Sequence, residues 1–193
     1  MKKKRLIHVS YDLVDKFVPR IPKQRAKDEN ASIERICVAP DISHAMLAIP
    51  QFATVAEYMR ELKLPVIIHV YYLESNSIMN WEEVAKYVPD APYTKESWIL
   101  EEPASVHRVD YEIVNFKIKQ GHDINGDELA CILEYKLKRC KYQSNVDIFL
   151  NSFIRNADVE KEKRLRKMFD ELSFRGIMSN VGKEIIEKMV MKQ

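Results

Sequence analysis

Val66-Ile67-Ile68-His69-Val70-Tyr71-Tyr72-Leu73, placed directly after Pro65, is the strongest strand signal in the chain. The run is β-branched and aromatic apart from one histidine and the closing leucine, and no polar residue alternates through it. A strand with a solvent face would alternate, so this run predicts a central strand covered on both faces. A histidine inside it reads as a core residue bonded to a backbone carbonyl, because buried polar groups need partners.

Upstream, the apolar stretch at residues 5–10 predicts a buried first strand. Residues 11–17 allow one helical turn at most before Pro19 and Pro22. The polar segment 20–34 has no period and predicts an exposed loop, a candidate lid. Residues 35–39 read as a second short strand. Asp41 or Ser43 caps a helix carrying Ala45, Met46 and Ile49, which Pro50 ends. Val55, Tyr58, Met59 and Leu62 recur at helical spacing and predict another helix over 54–62.

Downstream, residues 81–87 predict a short helix, and 96–101 and 108–119 two strands. In the second of these strands both faces carry apolar residues, so its alternation is imperfect. Residues 121–126 are a turn. Helical patterns follow at 128–140, 146–156, 159–172 and 183–191. The predicted fold is α/β in the α+β sense, with a mixed sheet over residues 1–125 and a helical C-terminal extension over 126–193 packed on it as one unit.

With 193 residues, 46% hydrophobic and 31% charged, the chain can bury a core without disulfides. Cys37, Cys131 and Cys140 lack metal-ligand spacing. The opening MKKKRLIHVS has no signal-peptide apolar run, and no stretch approaches the roughly 20 apolar residues of a membrane span. A cytoplasmic protein with no membrane partner is the expectation. The net charge of +2 is uneven, with basic ends and an acidic middle. That asymmetry can steer a phosphate-bearing partner but says nothing of the fold.

The histidines at 8, 44, 69, 107 and 122 form neither HExxH nor a Cys-His pattern, so no metal site is expected. P-loop, GxGxxG and GxSxG sequences are lacking, and four glycines offer little backbone to wrap a phosphate chain. The loop VPRIPKQRAKDE holds Arg20 between prolines, with Arg25 further on and Arg35 at the start of a strand. Guanidiniums on a stiff backbone suit a bidentate grip on phosphate or carboxylate, and Asp28 or Glu29 are their alternative partners.

Leu6-Ile7-His8-Val9-Ser10 is followed by Arg35-Ile36-Cys37-Val38-Ala39-Pro40-Asp41, by a helix with Ala45 and by the strand at 66–73. This order resembles the first half of the ADP-ribosyltransferases, in particular the small bacterial type with a histidine before a Gly/Ser-Thr/Ser pair. The resemblance implies a split, mixed β-sheet and NAD as cofactor. It puts His8 on the adenosine-side ribose and the backbone around Val9 on the nicotinamide amide, with Ser10 in the same motif. Arg20 or Arg35 would hold the pyrophosphate. Thr94-Lys95-Glu96-Ser97-Trp98-Ile99-Leu100 matches the family's third motif in outline, which makes Glu96 the catalytic candidate. Breaking the ribose–nicotinamide bond creates an oxocarbenium-like centre, and an aligned carboxylate favours that charge in the transition state.

The family usually has glycine where Val9 stands, and its second motif often supplies an aromatic residue that 35–39 lack; Tyr11 or Phe17 are the nearest substitutes. Those departures point to a second reading, a non-catalytic binding protein that inhibits a host defence protein. His8-Val9-Ser10, 17–22, 35–40, 88–91 and 96–100 together also resemble phage and mobile-element proteins of Gram-positive bacteria. A third reading is nucleic-acid binding through the tail, where Lys136, Lys138, Arg139 and Lys141 cluster and Arg164, Arg166 and Lys167 form a second group. Acids interleaved at Glu160, Glu162, Asp170 and Glu171 weaken that reading.

Overall fold

The computed structural model describes residues 4–22, 29–49, 52–61, 65–122 and 128–141. Its strands are β1 (Lys4–Ser10), β2 (Ile36–Val38), β3 (Val66–Ser75), β4 (Ile78–Met79), β5 (Ser97–Ile99), β6 (Ser105–His122) and β7 (Glu128–Arg139). The helices are α1 (Ile42–Leu47), α2 (Phe52–Glu61), α3 (Trp81–Val84) and α4 (Ala91–Thr94). Two sheets result, one in the order β1-β3-β6-β7 and one in the order β2-β5-β4.

All strand pairings among the described residues are antiparallel, so the class is α+β and the expected mixed sheet is corrected. The apolar run at 66–73 does require burial on both faces. A second sheet supplies it in place of the crossover helices of a parallel sheet.

Alternation along β3 divides the core in two. Val66, Ile68 and Val70 face one way, into a cluster with Val55, Ala56 and Met59 of α2 and Ala45 and Met46 of α1. Tyr71 and Leu73 face the other way, meeting Leu6 of β1, Ile36 and Val38 of β2 and Ile99 of β5. The opposite side of the second sheet presents Trp98 to Val84, Val88 and Ala91. The layers therefore run helices, sheet, sheet, helices. Asp41 starts α1 as expected, its carboxylate accepting the His44 amide at 2.9 Å.

The imperfect alternation of β6 has a local cause. Between Val114 and Lys117 the register with β7 shifts, and Asn115 takes a left-handed φ of 53°. Asparagine tolerates this conformation better than β-branched residues do. The inserted residue switches the strand's faces, so Phe116 joins Ile113 in the helix-side core, which Ile118 borders.

Residues 128–140, read as a helix, instead form β7, so the sheet continues past residue 125. Tyr135 and Leu137 pack toward the helix-side core while Glu134, Lys136 and Lys138 are exposed, a two-residue period. A free edge on β6, an 18-residue strand, outweighs the helix propensity of Glu, Leu, Ala and Lys in this stretch. The helices expected at 146–156, 159–172 and 183–191 lie outside the described residues.

Candidate functional site

The two sheets touch along a split between β1 and β2. Ile7 and Ala39 exchange both backbone hydrogen bonds, at 2.9 and 2.8 Å. One step further along, the strands part. Ile7 spends its amide and carbonyl away from β3, and antiparallel alternation turns those of Val9 the same way. The Val9 side chain is buried toward the helices, so its backbone alone faces the split.

His8 fills the space where the strands separate. Its Nδ1 donates to the Cys37 carbonyl at 2.9 Å, leaving Nε2 as the acceptor of the neutral ring. Phe17 meets the imidazole edge-on with centroids 5.2 Å apart, and Tyr71 lies 6.1 Å away. Phe17 thus packs over the histidine from the β1–β2 connection. The backbone of exposed Arg20 pairs with that of Arg35, and its charge acts on His8.

Ser10, His69 and Asp110 occupy one row across β1, β3 and β6. His69 Nδ1 donates to Asp110 at 2.7 Å, so its partner there is a carboxylate and not the backbone carbonyl expected from sequence. Arg108 approaches the same carboxylate at 3.4 Å. Ser10 accepts the Asp12 amide at 3.1 Å, and one carboxylate oxygen of Asp12 is buried without a hydrogen-bond partner among the described residues.

Arg35 and Glu96 lie on the other side of β2. Arg35 is fully buried, paired with Glu29, donating to the Ile33 carbonyl at 2.7 Å and stacked 4.2 Å from the Trp98 ring centroid. Glu96 accepts from Trp98 Nε1 at 2.6 Å and from the Cys37 thiol. Cys37 is therefore the link between the groups: its carbonyl holds His8 and its thiol holds Glu96. Arg20 is exposed and Arg35 is withdrawn under Trp98, so the two guanidiniums do not converge. Arg25 lies outside the described residues.

Burial sets the protonation of these groups. It raises the Glu96 carboxyl above its ordinary value, with Glu29 and Asp90 adding to the rise and the Trp98 and Cys37 hydrogen bonds opposing it. It also pushes the Cys37 thiol well up, aided by Glu96, so this thiol is a poor nucleophile. His8 and His69 are both lowered from 6.5, chiefly by burial; Arg20 contributes at His8 and Arg108 at His69, while the Cys37 carbonyl and Asp110 act the other way.

A pH dependence follows. The unfolded chain takes up protons near pH 6.5 that the two folded histidines refuse, so their contribution is full above that pH and is lost as pH falls below it. Thermal melts from about pH 7 to 5.5 should show a falling Tm, with a shallower slope in His69→Gln. Equal slopes would remove His69 as a source.

Among the described residues no His, Cys, Asp and Glu group could hold a metal ion, and no helix is long and apolar enough to cross a membrane. Compared with protein-family models, curated proteins and solved structures, the chain matches none. Sequence reasoning singled out His8, Val9, Ser10 and Arg20 but missed Asp110 and Arg108. Their signal was the register of β6 on β3, which no local pattern encodes.

Proposed function

We infer that the split between β1 and β2 binds a nucleotide, with NAD as the first candidate. The observation that supports this reading is the Val9 backbone, whose amide and carbonyl face the gap beside His8. An adjacent donor and acceptor complement a carboxamide or a nucleobase edge. His8 Nε2 can accept a ribose hydroxyl, the unpartnered Asp12 oxygen can accept another, and Arg20 is placed for phosphate. Glu96 meets this region only through Cys37, so binding is better supported than ADP-ribosyl transfer.

Calorimetric titration with NAD tests the reading. Wild type should bind, and His8→Ala should weaken binding about tenfold or more, the loss expected when a buried polar contact is removed. Melting curves of the variant separate a lost contact from a lost fold. No heat with wild type, or equal affinity in His8→Ala, would overturn the site. Should bound NAD be consumed, Glu96→Gln must abolish turnover while binding persists if Glu96 is catalytic.

A protein partner is the second reading, favoured by Leu13 and Val18, exposed at 36% and 43% on the connection that carries Phe17. Exposed apolar side chains grouped on one segment suit a contact with another protein.

A further inference from the structure

Among the described residues, the helices cover only part of the helix-side face of the first sheet. Tyr72, opposite Ile7, and Tyr111, opposite buried Ile68, lie half-buried along the border of the core that α1 and α2 cover, and beside them on the same face stand Arg5, His107 and Arg139. Register pairs Tyr72 with His107 and Tyr111 with Arg139, and Tyr72 interacts with Tyr111 and Arg139 across the row between, which connects the two pairs. The rings of Tyr72 and His107 stack with centroids 6.2 Å apart, and Arg5 lies 4.2 Å over the Tyr72 ring. Arg5, His107 and Arg139 are exposed, and the two tyrosines are half-buried. Glu74 stands opposite Arg5.

We propose that this border of the sheet binds single-stranded nucleic acid, with one base stacked on His107, a second taking the place of the Arg5 guanidinium over the Tyr72 ring as Arg5 moves to a phosphate, and another phosphate held by Arg139. Aromatic rings offer sequence-tolerant stacking to unpaired bases, and guanidiniums at the edges of the platform complement the charged backbone. Four strands set about 4.8 Å apart span about 14 Å, wider than one base and suited to two or three. A duplex keeps its base faces inside the stack and cannot use such a platform. This face is the reverse of the one carrying His8, so the proposal is independent of the nucleotide site.

The full chain should be titrated into labelled 12-mers of deoxythymidine and of uridine, read by fluorescence anisotropy, with a 12-base-pair duplex as competitor. The expected result is binding to single strands that the duplex competes for poorly and that weakens about tenfold or more in His107→Ala/Arg139→Ala. Tyr72→Leu, which keeps an apolar side chain against the core, should weaken it by a similar factor. If that variant does not fold, the exposed double variant decides alone. Undiminished affinity in the double variant would overturn the proposal and assign any binding to the basic tail, as would equal affinity for duplex. NAD binding should be unaffected by these substitutions.

Discussion

Arg35→Ala is expected to destabilise the protein by about 3 to 5 kcal/mol, a large share of what a domain of this size has. Arg35 has no exposed side-chain surface, and it is the charge that neutralises Glu29 in the same buried space. Removing it takes the paired guanidinium away from that carboxylate and opens a void beneath Trp98. The loss comes from an abandoned charge more than from a missing attraction, since buried pairs repay little beyond their own desolvation. Arg35→Met combined with Glu29→Leu should therefore recover most of the stability. Urea denaturation measures both. A double variant as weak as Arg35→Ala would show that packing of the guanidinium, and not the loss of the Glu29 counter-charge, is what matters.

Trp98→Ala should cost about 3 to 5 kcal/mol, the range for truncating a large buried aromatic residue. Trp98 is fully buried, and its neighbours are Val84 of α3, Ala91 of α4 and Val88 on the connection between them. Trp98→Phe separates the contributions. It keeps much of the volume and a ring for Arg35 but deletes the indole donor to Glu96, which costs about 1 to 3 kcal/mol for a buried carboxylate left with the weaker thiol donor of Cys37. Midpoints for the two variants in the same denaturant series should fall in the order wild type, Trp98→Phe, Trp98→Ala. Equal midpoints for wild type and Trp98→Phe would mean that Glu96 finds another donor or is already protonated, in keeping with its raised pKa.

Local chemistry made part of this molecule readable in advance. The apolar run at 66–73 announced a strand covered on both sides, because burial on two faces leaves no polar alternation to see. Asp41 announced α1, because a helix start needs an acceptor at that position and the side chain supplies it. What could not be read depended on partners far along the chain. The strand β7 looked helical because its residues favour helix when considered alone, yet Tyr135 and Leu137 against Glu134, Lys136 and Lys138 already carried the two-residue period. The bulge at Asn115 is a relation between two strands. The partnership of His69 with Asp110 required β6 to be in register with β3, 41 residues away.

Cys37 links the imidazole at the split to a buried indole. Its carbonyl holds the imidazole at the split, its strand neighbour across β2 and β5 is Trp98, and its thiol shares Glu96 with that indole. Any occupant that displaces His8 must pull on the same residue that sets the polarity around Trp98. Trp81, the chain's other indole, lies apart under the Lys95 ammonium at 3.7 Å. Replacing Trp81 with phenylalanine would leave a single tryptophan one residue removed from the split, and with excitation selective for indole a change at His8 could be watched by emission colour without attaching a dye.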